Sequence, residues 1–174
     1  MLFRSISLGF VKSFHSNHSR ITTLATLKAT NMPNELRKIL AVITGIIIGG
    51  TLNFLILLAF ARIIPYPLGV KISDTEAIKA SLHLFQPKHF LAPFLAHALG
   101  TFIGAWVAVK ITIDSPYRAA LIIGLFFFFA GVTNAYEIGA PLWFIVVDLV
   151  GAYLPMAYLA LVISGVNRPG KVNH

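Results

Sequence analysis

The chain has no cysteine among its 174 residues, which excludes disulfides, thiolate metal sites and a cysteine nucleophile. Charge is scarce as well. Charged residues make up 11%, with 6 acids against 14 lysines and arginines, for a formal net charge of +8. A soluble domain carries about 25% charged residues, so this chain has too little polar surface to cover a water-soluble fold. It also lacks a phosphate-binding glycine loop, a GxSxG elbow, an HExxH pair and a paired-carboxylate signature. No motif therefore points to an enzyme class.

Apolar residues take the place of charge, at 57% of the chain and a mean hydropathy of +0.81. They fall into four long runs, about Ile39 to Ala61, Phe90 to Ile113, Ala119 to Tyr136 and Leu142 to Ser164. Each approaches the ~20 residues that a helix needs to cross a hydrocarbon core. The pattern predicts an all-α integral membrane four-helix bundle over residues 32–168. Asp114-Ser115-Pro116-Tyr117-Arg118 is the turn between the second and third spans, and Glu137-Ile138-Gly139-Ala140-Pro141 joins the third to the fourth.

Residues 1–31 differ from the rest: Arg4, Lys12, Arg20 and Lys28 stand among serines and threonines with no acid. That composition suits a mitochondrial-type presequence, which would place the protein in the mitochondrial inner membrane. The plainer expectation is that translation begins at Met32 and that 1–31 is outside the fold, with 169–174 a short tail. Four spans put both termini on one side. That side collects Arg37, Lys38, Lys110, Arg118, Arg168 and Lys171, and the other holds Arg62, Lys71, Lys79 and Lys88, partly offset by Asp74, Glu76 and Glu137. The positive-inside bias predicts cytoplasmic termini. Basic residues beside apolar runs contact lipid headgroups, so the bilayer rather than nucleic acid is the expected partner.

The connection from 62 to 89 is too long to be a bare link. Ser73-Asp74-Thr75-Glu76 matches a capping box, and Ile78, Leu82 and Phe85 then share a face, with Pro87 as the stop. This predicts a short amphipathic surface helix between spans 1 and 2, lying flat on the membrane or covering the mouth of the bundle.

Small residues recur at packing intervals: Gly45 with Gly49, Gly100 with Gly104, then Gly124, Gly131 and Gly151. Helices in lipid are held together by close packing rather than by the hydrophobic effect. Intramolecular packing is the expected use of these stripes, with homodimerisation through one glycine face as the alternative. One polar side chain accompanies the stripe in each span: Asn53, His97 (with Thr101), Asn134 and Asp148. All four are expected to face the interior. His97 and Asp148 lie at similar depth, on the order of 10 Å below the outer ends of their helices. A buried aspartate costs roughly 2.5–3.5 kcal/mol on insertion scales unless it is paired, protonated or hydrated.

These residues predict a hydrogen-bonded His97–Asp148 pair supported by Asn53 and Thr101, with Asn134 and Glu137 nearer the surface. Such a pair serves proton relay, binding of a small polar or cationic solute, or acid–base chemistry. Its structural alternative is an interhelical clamp worth ~0.6–2 kcal/mol. His83, Lys88 and His89 gather near the outer end of span 2, but no HxxxH spacing is present. A metal site would need Asp148 or Glu137 from another helix, and none is expected. Tyr66, Tyr136, Trp143 and, at the other boundary, Tyr117 read as interfacial aromatics. Phe126–Phe129 lacks the convergent polar groups of a cofactor pocket, so no cofactor is expected.

The stretch Leu82-His83-Leu84-Phe85-Gln86-Pro87-Lys88-His89-Phe90, continuing through Phe94-Leu95-Ala96-His97-Ala98-Leu99-Gly100-Thr101, resembles a group of small, uncharacterised four-span bacterial membrane proteins. So does Trp143 to Pro155 with its central Asp148. The resemblance spans about Met32 to Val166 and implies a bacterial inner (plasma) membrane, without implying an activity or ligand. Three function classes follow from the residues: a small transport or proton-coupled component using His97 and Asp148, a non-catalytic assembly or partner subunit of a membrane complex, and a membrane-embedded enzyme acting on a lipid or quinone.

Overall fold

A computed structural model describes residues 32–67, 70, 74–112 and 114–166. The basic segment 1–31 and the tail 169–174 lie outside the described residues. Helix α1 covers Asn34–Ile63, α2 Thr75–Ser81, α3 Leu91–Ile111, α4 Pro116–Ile138, α5 Leu142–Gly151 and α6 Leu154–Ser164. Short 3-10 turns at Leu82–Leu84 and Pro87–Phe90 lead from α2 into α3. Among the described residues there is no strand, and the chain is an all-α bundle. Four segments are long and apolar enough to cross a membrane: Asn34–Ile63, Pro87–Ile111, Pro116–Ile138 and Leu142–Ser164.

Local chemistry sets the ends. Pro116 opens α4, where its missing N–H costs nothing, and Gly139 closes it with φ 70°, a left-handed value that favours glycine. Asp74 is the N-cap of α2, one residue later than the first position of the predicted box, because its carboxylate accepts from the amides of Glu76 at 3.0 Å and Ala77 at 3.3 Å. The second span begins with a reciprocal cap: the Gln86 side chain takes a backbone N–H while His89 Nδ1 accepts from the Gln86 amide at 2.8 Å.

The fourth span is expected as one helix and is in fact two. Pro155 lacks an amide, and its ring collides with the carbonyl four residues earlier in a continuous helix. The chain breaks at Ala152 and Tyr153: Ala152 keeps a right-handed helical backbone, and Tyr153 (φ −114°, ψ −82°) leaves the helical range. Both residues are fully buried, with exposures of 0% and 1%. Non-helical backbone at membrane depth is tolerated where protein surrounds it.

Glycine decides how the spans approach. A Cβ on Gly45 would lie 2.6 Å from the Gly104 carbonyl oxygen, and one on Gly49 would lie 2.6 Å from that of Gly100. Backbone meets backbone across the two antiparallel helices. Ile123 and Phe127 of α4 close over the same glycines at 3.0 Å. The Gly45–Gly49 face is thus spent within the chain. Between α4 and α6, Gly124 admits Ala157, whose methyl would sit 2.9 Å from an added Cβ. Buried alanines at 105, 108, 157 and 160 continue this seam.

At the end where α1 begins and α6 finishes, cations cap carbonyls that helices leave unpaired. Arg37 Nε donates to Ile111 O at 2.7 Å, and Lys110 Nζ donates to Ser164 O at 2.8 Å. Each cation also meets the negative end of a helix dipole.

Close approach at the glycine crossing gives a direct test. Gly100→Val must displace the backbone of α1, and overpacking of this kind costs typically 1–3 kcal/mol. Gly50→Val, where an added Cβ meets nothing within 4 Å, leaves stability unchanged. Thermal aggregation midpoints in detergent should fall for the first variant and not for the second.

Candidate functional site

The helix break delivers a third member to the predicted pair. His97 Nδ1 lies 2.9 Å from both carboxylate oxygens of Asp148. Tyr153 donates its hydroxyl to Asp148 Oδ2 at 2.7 Å, and its oxygen lies 2.8 Å from His97 Nδ1. Residue 153 stands five positions after Asp148. A continuous helix would turn it well away, and the break returns its phenol to the carboxylate. Gly131 of α4 makes the room, since any Cβ there would overlap the Tyr153 hydroxyl.

The carboxylate therefore receives two donors, which is what a nearly fully buried Asp148 requires. When Nδ1 donates its proton to Asp148, a neutral imidazole has its lone pair at Nε2. Among the described residues Nε2 has no hydrogen-bond partner, and His97 lines a cleft of about 330 Å³ in the half of the bundle away from the termini.

That cleft is bounded by one end of all four spans and is mostly apolar, with Phe90, Phe144 and Ala135 among its walls. Ile78, Leu82 and Phe85, the predicted apolar face of α2 and its following turn, also line it. The amphipathic helix thus covers the mouth, the second of the two poses expected for it. Tyr66 packs against Phe85, their ring centres 6.0 Å apart. Burial holds the Tyr66 phenol above its ordinary ionisation range, so it stays a neutral donor.

The remaining predicted residues are placed as follows. Asn134 lines the cleft but is exposed, rather than enclosed by the bundle. Asn53 is half-buried beside Gly100, 3.1 Å from the position of an added Cβ, and makes no hydrogen bond to the pair. Thr101 is fully buried one turn below His97, and its hydroxyl has no partner among the described residues. Glu137 is exposed and borders a separate surface depression with Lys79, Glu76 and Tyr136. His83 is exposed whereas His89 is buried, engaged in its cap and packed edge-on against Phe85. Among the described residues no three histidines or acids gather as a metal-binding group.

Tyr153 was not legible as a site residue. The one signal available was Pro155, which forecasts an irregular turn just after Asp148.

No protein-family model matches the chain, and searches of curated proteins and of solved structures find no similar protein. The reading of the site rests on its own geometry.

Two outcomes check this geometry. Tyr153→Phe removes one donor from a buried carboxylate and should destabilise the protein by about 1–3 kcal/mol. Gly131→Ala, whose Cβ would overlap the hydroxyl and also crowd ring carbons that phenylalanine keeps, should destabilise both the native protein and the Tyr153→Phe background, by less in the latter. Equal losses in the two backgrounds on chemical unfolding would break the assignment. At the rim, ionisation of Tyr66 opposes folding because its folded pKa lies above the ordinary 10.0. Its contribution is present below that value and is lost as pH rises through the higher folded value. Thermal stability should therefore fall more steeply above pH 10 in the native protein than in Tyr66→Phe.

Proposed function

We propose that the protein binds a small amphiphile in the capped cleft, with His97 as the proton acceptor for its polar end. One observation carries this reading: Asp148 and Tyr153 occupy Nδ1, and they leave Nε2 as the free polar atom of His97 in a mostly apolar cleft. Taking a proton at Nε2 creates an imidazolium against the Asp148 carboxylate, which stabilises the charge. The same logic positions histidine bases in enzymes. This favours a membrane-embedded enzyme or binding protein for an amphiphile. Cleft volume also fits, since small-molecule sites begin at about 300 Å³ and are mainly apolar.

The inner half supports a one-sided site. From Thr101 to Ala108 the buried seam consists of Gly104, Ala105 and Ala108 facing Ile123 and Phe127. That interval is about 10 Å along the helix and offers no side chain to carry a proton onward. A second reading, a transport or proton-coupled component, draws on a different observation: α5 and α6 form a discontinuous span whose break touches the His97–Asp148 pair. Broken helices of this kind build ion and substrate sites in transporters. The third class, a non-catalytic subunit, predicts a co-purifying membrane protein and tolerance of Asp148→Asn. For location we favour a bacterial inner membrane with cytoplasmic termini, on the cations Arg37, Lys38, Lys110 and Arg118 near that end.

Native mass spectrometry of the detergent-extracted protein should show a reproducible small-molecule adduct that Asp148→Asn loses while remaining folded. A bare protein would sink the binding reading. Proton flux into liposomes that Asp148→Asn abolishes would establish the transport reading in its place, and loss of assembled protein in that variant would mark the pair as a structural clamp.

A further inference from the structure

The same cleft restricts the chemistry of what it accepts, an inference that rests on the amphiphile reading above. Its described polar lining consists of Tyr66, His89, His97, Asn134 and Asp148, with no lysine or arginine. A phosphate or carboxylate headgroup would meet the Asp148 charge with no fixed cation to offset it, at a depth where unpaired charge is costly. An ammonium group finds the carboxylate already engaged by His97 Nδ1 and the Tyr153 hydroxyl. What the deep end still offers is one neutral acceptor, Nε2 of His97, and a hydroxyl is the uncharged group that satisfies it.

Access has a direction as well. Along the inner half, α1 and α4 are closed together, with Ile123 and Phe127 seated on Gly45 and Gly49. Toward the opposite end residues of both helices line the cleft. Its wall there includes Phe54 and Leu58 of α1, 59% and 49% exposed, and the exposed Asn134 of α4. The top is meanwhile covered by Ile78, Leu82 and Phe85. An opening at the side of a bundle, at the depth of acyl chains, admits a molecule already dissolved in the bilayer.

We infer that the ligand is an uncharged hydroxyl-bearing amphiphile, a phenol, quinol or long-chain alcohol, which enters from the bilayer between α1 and α4 and donates its hydroxyl to His97 Nε2.

Trp143 offers an internal probe, because its ring centre lies 5.3 Å from that of Phe90 in the cleft wall. With Trp106→Phe, the fluorescence of the full chain in nanodiscs comes from Trp143 alone. Ring-brominated para-nonylphenol should quench it saturably, and Ala135→Phe, which fills the cleft, sets the background from lipid. The methyl ether of the same phenol lacks the donated proton and should bind about ten-fold more weakly. Dodecyl phosphate should not compete. Equal affinity for phenol and ether, or displacement by dodecyl phosphate, overturns the hydroxyl assignment while leaving the cleft a binding site. No saturable quenching by either the phenol or its ether overturns the amphiphile reading itself.

Discussion

A carboxylate inside a membrane bundle has to be satisfied by the protein, and much of the cleft-bearing half of this structure follows from that requirement at Asp148. Water does not reach a side chain that is 3% exposed, so its lone pairs must find donors within the fold. His97 supplies one from the second span and Tyr153 another from beyond the break in the fourth. The break depends on Pro155, and the phenol depends on the missing side chain of Gly131. A single buried charge thus couples a histidine, a helix interruption and a glycine on three different spans. Because the donors come from separate elements, the site and the helix packing are stabilised by the same contacts.

The inner half obeys a different rule. Hydrocarbon is as apolar as the side chains it would replace, so helices gain by fitting closely rather than by hiding from solvent. Gly45, Gly49, Gly100 and Gly104 let two backbones touch, and the alanine seam carries that proximity toward the termini. Arg37 and Lys110 then fasten helix ends through carbonyls that would otherwise lack partners. The result is a dense half-bundle beneath an open one. That asymmetry gives the cleft a floor, and it is why a one-sided site fits the packing better than a path through the molecule. The discontinuous fourth span is the feature that keeps a moving, transport-type element in contention, since its break lies against the pair itself.

The number of spans, the presence of a short helix between the first two, the intramolecular use of the glycine stripes and the approach of His97 to Asp148 were all legible in the sequence. The reason is local. Run length measures the crossing of a bilayer, and the 3.6-residue period places residues on a face without reference to any other helix. Other features depend on which helices are neighbours and how each is rotated: the arrival of Tyr153 at the carboxylate, the exposure of Asn134, the lack of a hydrogen-bond partner for Thr101, the burial of His89 in a cap, and the choice of α2 to cover the cleft. The stripe rule placed Asn134 inside because it assumes that every small-residue face is covered, whereas Asn134 is exposed at the cleft. Sequence therefore determined a four-helix membrane bundle with a buried acid–imidazole pair. Tertiary structure alone decided that the pair is a triad at the floor of a capped apolar cleft, because side chains meet across helices by packing geometry that no single helix contains.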